Sequence, residues 1–245
     1  MFPAMLSGIG LEKSEIRIFS SQYLTLEGKT FSTNRNWAIW VPYIMERYNI
    51  DSIRYYLISR GAEEKNSDFT WRDFINANNN ELVGEIGNFT NRVLTFIKKN
   101  FNGQIKGEEL PLQWKNIIRR TYASVGNKFE NGELKSGVKE MFNLIKQGND
   151  FFDKNKPWIL INNNKKKCEE VLYICSQILV ALTDLMNPII PFTCEKIKMF
   201  LGIKDTKWSF EERKNIRVNK VEFLFDKIDK KVAIEELNRL KNKKI

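Results

Sequence analysis

Histidine is absent from the 245-residue sequence, and this absence narrows the chemistry that the chain can perform. Histidine is the commonest general base and the commonest metal ligand near neutral pH, so every catalytic pairing of serine or cysteine with histidine is excluded. The carboxylates are spread over separate predicted helices and offer no convergent acid–base pair. The sequence therefore predicts neither a metal site nor a carboxylate dyad.

Cysteine is scarce: the sequence has three, Cys168, Cys175 and Cys194, and none belongs to a Cys-x-x-Cys pair. On a helix, Cys168 and Cys175 would share one face about two turns apart, which is too far for a disulfide bond. Unpaired thiols suit a reducing compartment, so we expect small core residues in a cytoplasmic protein.

Long apolar runs are also lacking. No stretch of about 18 uncharged apolar residues occurs, so we expect no transmembrane helix and no membrane partner. The opening residues, MFPAMLSGIGLEK, lack the basic region of a signal peptide and begin abruptly, as though a further segment preceded them.

Positive charge, by contrast, is plentiful, with 40 Lys and Arg against 30 Asp and Glu. A net charge of +10 favours a polyanionic partner, above all a nucleic acid and less an anionic membrane face. A basic protein without such a partner would show the same excess, so the charge alone leaves that alternative open.

Apolar residues at three- and four-residue spacing predict helices over most of the chain. Partial alternation predicts one or two short strands within residues 16–26, ahead of those helices. The clearest helical stretches are 67–103, 113–129, 134–152, 165–186 and 192–202. The sequence thus predicts a mainly α fold, a helical bundle with a small β part in front.

Two shorter helices are expected between the strands and the bundle. Pro42 suits the first turn of one helix. Asp51 is the predicted N-cap of the next, which Gly61 ends. Its apolar face is predicted to contain Ile53, Tyr56 and Leu57.

A polar ridge follows the apolar face of the stretch 67–103. It consists of residues that recur mainly three or four positions apart, namely Asn88, Asn91, Arg92, Thr95 and Lys99. Such amides and cations can bind base edges and phosphates. A solvated helix face would have the same pattern, and from spacing alone we favour that interpretation.

The segment NDFFDKNKPWIL, residues 149–160, places a tryptophan directly after a proline. Pro157 is expected to end the preceding helix, so that Trp158 lies at a rigid corner among basic residues. There it could stack on an unpaired base, a contact worth about 1–3 kcal/mol. Trp158 could equally cover the end of the bundle core.

The segment GKTFSTNRNWAIW, residues 28–40, is a basic, hydroxyl-rich loop in front of two tryptophans. A loop of this composition can hold phosphates, but an ordinary surface loop has the same residues. It lacks the glycine spacing of a P-loop, so the motif is weak by itself.

Taken in order, five segments resemble methionyl-tRNA synthetases, which are class I aminoacyl-tRNA synthetases. The resemblance runs with gaps over nearly all of residues 1–230. Its segments are YLTLEGKTFSTNRN, YNIDSIRYYLISRG, SDFTWRDFINANNNELVGEIGNFTNRVLTF, NDFFDKNKPW and LMNPIIPFTCEKIKMFLGI. Although no single motif is specific, the ordered set is.

The resemblance implies that five residues bind the tRNA anticodon. Trp158 matches the tryptophan that stacks on an anticodon base, and Lys99 falls where relatives place a basic residue facing the anticodon. Thr95 stands where some relatives have an asparagine that contacts the first anticodon base, and its hydroxyl keeps one hydrogen-bonding group there. Asn91 and Arg92 match an Asn-Arg pair, for which we expect a mainly structural role with some backbone contact.

The loop departs from the family's Lys-Met-Ser-Lys-Ser signature. Residues 30–34 stand in its place, so that both lysines are missing at their positions. The resemblance implies that Ser32 and Thr33 are what remains of the catalytic signature. Lys29 and Arg35 flank it and are implied to bind the phosphates of ATP, whose developing charge the loop stabilises.

In complete family members, an upstream half with a His-Ile-Gly-His motif joins methionine to tRNA with ATP and Mg²⁺. A chain without histidine cannot contain that motif, so the resemblance implies the C-terminal half of such an enzyme. We expect a remnant of the Rossmann-like catalytic domain at 1–40, a connecting segment that contacts the tRNA stem at 41–75, and an anticodon-binding helical bundle at 76–245.

The expected partner is therefore a tRNA with a methionine-type anticodon, and we expect the chain by itself to be inactive in aminoacylation. If a separate N-terminal catalytic chain completes the enzyme, a large apolar patch should lie around residues 1–40. The alternative is a stand-alone RNA-binding module, derived from a synthetase and without aminoacylation activity. A degenerate product without function is a third interpretation.

Overall fold

The computed structural model describes residues 2–10, 18–204 and 207–242, and it is mainly helical. The predicted fold class is confirmed. In chain order the elements are α1 (Phe2–Gly8), β1 (Leu24–Leu26), β2 (Lys29–Thr30), α2 (Val41–Arg47), α3 (Ile50–Ser59), β3 (Ser67–Phe69), α4 (Trp71–Asn76), a π-helix (Ala77–Gly87), α5 (Asn88–Asn100), β4 (Gln104–Lys106), α6 (Leu112–Glu130), α7 (Leu134–Asn155), α8 (Pro157–Asn163), α9 (Lys165–Met186), α10 (Pro191–Leu201), β5 (Asn215–Arg217) and α11 (Val232–Lys241).

The first three strands form a small sheet in the order β2-β1-β3, in which β1 pairs antiparallel with β2 and parallel with β3. Glu27 and Gly28 have φ of +49° and +73°, the conformation that a tight two-residue hairpin requires. The Asp68 carboxylate accepts the Gly28 N–H at 2.9 Å and the Thr25 hydroxyl at 2.6 Å. The sheet thereby holds the hairpin that leads into the loop whose residues 30–34 replace the family signature, which we call the signature loop. Of the predicted strand region, residues 16 and 17 lie outside the described residues, and a strand forms only at 24–26.

Two details of α3 differ from the prediction. The N-cap is Asn49, whose side-chain oxygen accepts the backbone N–H groups of Asp51 and Ser52. Asp51 itself is buried, and its carboxylate accepts the N–H of Thr193 at the start of α10. Leu57, predicted on the buried face, is 44 % exposed. The bundle covers only part of the circumference of α3, and periodicity does not indicate how far that cover extends.

The stretch predicted as one long helix is three consecutive helical segments, α4, the π-helix and α5. The 11-residue π-helix is unusually long, because such turns normally occur singly. Gly87 ends it in close contact with the backbone, since a Cβ there would lie 2.9 Å from the carbonyl oxygen of Leu82. α5 ends at Asn100, three residues before the predicted stop at Gly103.

The centre of the bundle is α9, which packs against α5, α6, α7, α8 and α10. Every residue from Val171 to Thr183 is buried, which explains why this stretch is apolar around its whole circumference. Its bounds agree with the predicted range. All three cysteines are free and buried, as predicted, and burial raises the pKa of the Cys168 thiol to about 11.

α5 and α7 approach closely because a glycine faces an aromatic ring at their crossing. A Cβ at Gly148 would lie 2.6 Å from the ring of Phe89, so no larger residue fits there without a shift. This contact helps to fix α5 relative to the C-terminal half of α7, the two elements that carry most of the candidate site.

α11, the last helix in the described part of the chain, packs against α4. The buried Glu236 of α11 accepts hydrogen bonds from Tyr43 at 2.7 Å and Tyr48 at 2.6 Å and is 3.3 Å from the guanidinium of Arg47. α11 is thus tied to α2. The domain boundaries that we predict after residues 40 and 75 stay predictions.

Candidate nucleic-acid interface

The polar ridge of α5 exists because the helix buries only one of its faces. Phe89, Val93, Leu94 and Ile97 are buried in the bundle. Thr95, Lys98 and Lys99 are exposed, whereas Asn91 and Arg92 are half-buried at the edge of the packed face. The Thr95 hydroxyl donates a hydrogen bond of 3.3 Å to the side-chain oxygen of Asn91. Among the residues that the structure describes, none accepts a hydrogen bond from the Asn91 amide nitrogen, so its two N–H groups can donate to a ligand.

Arg92 is held in a defined orientation by α7. Its guanidinium carbon lies 4.6 Å from the centre of the Phe152 ring, and the same group forms an ion pair with Asp153. Contact with an aromatic face is one that arginine favours, and the terminal N–H groups of Arg92 donate to the Asp153 carboxylate.

Trp158 lies at the corner between α7 and α8. Lys156 joins the two helices with φ of +46° and ψ of +64°, and Pro157 then starts α8 in the position where proline suits a first turn. The indole is 46 % exposed, and its ring centre is 6.1 Å from that of Phe152. The tryptophan therefore rests on the end of the bundle without being enclosed by it.

Phe152 contacts both Arg92 and Trp158, so the structure brings together these two residues from different parts of the sequence. Asn91, Thr95 and Lys99 extend the same surface along α5, where they line a groove of about 510 Å³. The five residues that we predicted to bind the anticodon thus belong to one neighbourhood. This surface offers an exposed indole, two side-chain amide donors and several cations, a combination suited to unpaired bases and phosphates.

The groove includes residues that the sequence analysis missed. Lys98 lines it from α5, whereas Val221, Glu222 and Phe223 line it from the segment 221–228, and Phe223 is 77 % exposed. The available signal was the run Phe-Leu-Phe within residues 221–228. The structure buries Leu224 and Phe225 and leaves Phe223 exposed, a difference that the run of apolar residues does not reveal.

The signature loop belongs to a different part of the molecule, next to the three-stranded sheet. Ser32 and Trp37 exchange two backbone hydrogen bonds of 3.0 and 2.8 Å, and the Ser32 hydroxyl accepts the N–H of Arg35 at 3.3 Å. The Lys29 ammonium lies 4.7 Å from the centre of a Trp37 ring. Thr33 and Arg35 are exposed at the tip, so the loop is closed by its own backbone and presents its cations outward.

Within the part of the chain that the structure describes, no group of three or more acidic or cysteine side chains could hold a metal ion. In the same residues, no helix has both the length and the apolar character needed to cross a lipid bilayer.

Comparisons with known proteins agree on one family. A family model described as tRNA synthetases class I (M) matches residues 1–94. A second, described as the anticodon binding domain of methionyl tRNA ligase, matches residues 103–240.

Curated relatives give the same result. The chain is 42 % identical over 241 residues to methionine–tRNA ligase 1 of Alkaliphilus oremlandii, an alignment that covers 98 % of this chain and 45 % of the relative. It is 40 % identical over 240 residues to a methionine–tRNA ligase of Streptococcus pneumoniae, with 98 % of this chain and 44 % of the relative covered. The chain thus spans less than half the length of these relatives, and the matched portion is their C-terminal part.

Solved structures confirm the fold. The methionyl-tRNA synthetase of Mycobacterium tuberculosis in its free state matches with a TM-score of 0.78 and 20 % identity, covering 93 % of this chain and 47 % of that one. The same enzyme bound by methionyl-adenylate matches with a TM-score of 0.80 and 20 % identity, covering 92 % and 46 %.

Proposed function

Because the chain belongs to the methionyl-tRNA synthetase family, we propose that it is the tRNA-binding portion of a methionine–tRNA ligase. Its surface on α5 and α8 binds the anticodon stem-loop. The observation that carries this proposal is the contact of both Arg92 and Trp158 with Phe152, which joins a cation and an exposed indole on one basic surface. The tRNA is one with a methionine-type anticodon.

Each residue of the surface has a role that follows from its geometry. Trp158 stacks on an unpaired anticodon base with its exposed ring, and Lys99 binds a phosphate from the solvent side of α5. The Asn91 amide donates to a base edge, since its oxygen already accepts the Thr95 hydroxyl. Arg92 orients the surface through Phe152 and donates to the RNA backbone.

The loop at 29–35 belongs to the reaction of the complete enzyme, in which ATP activates methionine. Arg35 is exposed, and among the described residues its guanidinium has no hydrogen bond or ion pair, so it fits a phosphate-binding role. Lys29 is less suited to phosphate binding, because its ammonium lies over a Trp37 ring. Ser32 and Thr33 supply hydroxyls at the loop tip. The described residues offer no acidic cluster for Mg²⁺, so we place its ligands outside this part of the molecule.

The exposed apolar residues of the N-terminal part support a catalytic partner, either a preceding part of the same polypeptide or a separate chain. Among the described residues between 4 and 45, the large exposed apolar side chains are Met5, Ile9, Ile18, Phe19, Tyr23, Leu24, Phe31, Trp40, Val41 and Met45. Apolar side chains in such number usually mark a covered interface. Three buried, free cysteines fit work in the reducing cytoplasm.

One observation favours a second candidate, an RNA-binding module without aminoacylation activity. Thr30 and Thr33 stand where the family signature has lysines, so the loop has lost two of its cations. In this case the protein binds the anticodon stem-loop and takes no part in methionine transfer.

A binding titration tests the proposal. The chain is titrated with a tRNA that carries a methionine anticodon and with the same tRNA whose anticodon is changed, at several salt concentrations. We expect tighter binding of the first, with affinity that falls as salt rises for both. Equal affinity for the two would contradict anticodon recognition.

An exchange assay separates the two candidates. We expect no methionine-dependent exchange of pyrophosphate into ATP by the chain alone. Exchange that appears when an N-terminal catalytic half of a relative is added supports the ligase portion, whereas a chain that binds tRNA but neither joins nor activates that half supports the second candidate.

A further inference from the structure

The segment 221–228 presents one aromatic ring to solvent while burying its neighbours. Leu224 and Phe225 are 4 % and 5 % exposed, whereas Phe223, which lines the groove, is 77 % exposed. A ring exposed to this extent contributes little to the core, so core packing does not account for it. Its position beside the polar ridge of α5 calls for a different explanation.

The backbone that carries Phe223 is held by the π-helix. The Asn78 side chain donates to the carbonyl of Asp226 at 2.9 Å, and the Asn79 side chain donates to the carbonyl of Ile228 at 2.7 Å. The Ile228 N–H in turn donates to the Asn79 side-chain oxygen at 2.9 Å. These three bonds, with the buried Leu224 and Phe225, fix the backbone beside Phe223 before any ligand arrives, which lowers the entropy cost of binding.

The surroundings of Phe223 are those of an RNA-binding surface. The ring lines two adjoining grooves, one of about 510 Å³ with Asn91, Thr95, Lys98 and Lys99 and one of about 320 Å³ with Asn88, Asn91 and Lys227. Glu222, the acidic residue that lines the larger groove, is ion-paired with Lys220 at 2.5 Å. Cations therefore dominate around an exposed aromatic face, the combination that holds single-stranded nucleic acid.

Phe223 and Trp158 lie on different sides of the α5 ridge. The Phe152 ring contacts both Arg92 and Trp158. Phe223 instead lines a groove together with Asn91 and Thr95. Consecutive residues of a helix point about 100° apart, so Asn91 and Arg92 face the two aromatics separately. A strand of RNA that crosses the ridge meets an aromatic ring on each side.

We propose that Phe223 is a second stacking platform, which binds an unpaired RNA base different from the base on Trp158. The proposal rests on the proposed function, because it assigns a further nucleotide of the same stem-loop to this surface. The base stacks on the exposed ring, its phosphates lie against Lys98, Lys99 or Lys227, and the Asn91 amide lies between the two stacked bases.

The test uses the full chain and a stem-loop RNA with a methionine anticodon. Phe223→Ala is expected to lower affinity at least about fivefold, the effect of losing one stacked base, and Phe223→Tyr to retain affinity because it keeps the ring. Phe223→Leu should behave like the alanine variant. The matched control is Phe192→Ala, which removes a phenylalanine that is 57 % exposed at the start of α10 and should leave affinity unchanged. Thermal melts of all variants should coincide, because the replaced rings are exposed.

A series of stem-loops, each lacking one loop base, identifies the stacked nucleotide. Removing one loop base should weaken RNA binding by the wild-type chain but should not weaken binding by Phe223→Ala any further. Removing a different loop base should weaken binding by the wild-type chain but should not weaken binding by Trp158→Ala any further. Wild-type affinity of Phe223→Ala, or an equal loss with Phe192→Ala, would overturn the proposal. If Trp158→Ala weakens binding and Phe223→Ala does not, only this inference fails. If neither variant matters and anticodon changes have no effect, the proposed function fails with it.

Discussion

The guanidinium of Arg92 lies 4.6 Å from the centre of the Phe152 ring, although the two residues belong to helices separated in the sequence by α6. Phe152 also contacts Trp158, so a single buried ring positions both a cation and an indole at the bundle end. Binding energy at this surface should therefore depend on a few residues whose orientation the core determines. The following predictions probe them and the stability of the bundle.

Removal of the indole should weaken RNA binding without unfolding the protein. We expect Trp158→Ala to cost about 1–3 kcal/mol in binding of the anticodon stem-loop, measured by filter binding, since one stacked base is lost. Trp40→Ala is the matched control, because Trp40 is 44 % exposed compared with 46 % for Trp158 and lies in the N-terminal part. Unchanged affinity of Trp158→Ala would reject the stacking role.

Lys99 should contribute through its charge. If it binds a phosphate, Lys99→Ala lowers affinity and reduces the slope of log affinity against log salt by roughly one unit. Lys139→Ala is a suitable control, since Lys139 is an exposed lysine of α7 about 20 Å along the helix from Phe152. A wild-type slope for Lys99→Ala would show that its ammonium meets no phosphate.

Asp153 should act against RNA binding. It is ion-paired with Arg92 and its side chain is 55 % exposed, so its negative charge lies at the proposed RNA surface. We expect Asp153→Asn to raise affinity for the stem-loop and to steepen its salt dependence, because Arg92 is then free to meet a phosphate.

The same substitution should change the free energy of unfolding by less than about 1 kcal/mol, as is usual for exposed ion pairs. Weaker RNA binding by Asp153→Asn, at equal stability, would indicate that Asp153 orients Arg92 for binding and does not compete with the RNA.

Glu212 should make the stability of the bundle depend on pH. Burial acts to raise the pKa of its carboxyl, but hydrogen bonds from Tyr173, Lys115 and the Leu110 N–H outweigh burial and lower it overall. The Tyr173 hydroxyl donates to it at 2.7 Å, and the Lys115 ammonium lies 3.1 Å away. A lowered pKa in the folded state contributes stability above the unfolded value of about 4.3, and that contribution is lost as the pH falls through the folded value.

We therefore expect Glu212→Gln to lower the free energy of unfolding by about 1–3 kcal/mol at neutral pH, and by less below about pH 4, when urea titrations are compared. Glu109→Gln is the control, because the Glu109 side chain also pairs with Lys115 but is 78 % exposed. If the difference in the free energy of unfolding between wild type and Glu212→Gln stays constant from neutral to acidic pH, the lowered pKa of Glu212 is contradicted.

Elements with strong, uniform patterns were predictable from the sequence. The bounds of α9 match the predicted range because its residues are apolar on every side and Asn164 caps its start through the Lys167 N–H. α10 begins at Pro191 and ends at Leu201, and the C-cap residue Gly202 adopts a φ of +64°. In each case the residues that determine the element lie within it or directly beside it.

Positions that depend on distant neighbours were not predictable. Asn49 and Asp51 are both good N-cap residues, and the choice between them follows from Thr193, whose N–H binds the Asp51 carboxylate. Asn78 and Asn79 of the π-helix donate hydrogen bonds to a segment almost 150 residues further along the chain. Local periodicity contains no information about such contacts.

The sequence by itself determined the mainly helical fold, the corner at Pro157, the family resemblance and the set of polar residues on α5. These properties follow from short-range spacing, backbone preference and motif order. Only the tertiary structure decided that Phe152 would join Arg92 to Trp158 and that Phe223 would remain exposed beside Asn91 and Thr95. Both depend on which side chains the packed core covers, because burial results from contacts between helices that lie far apart in the chain.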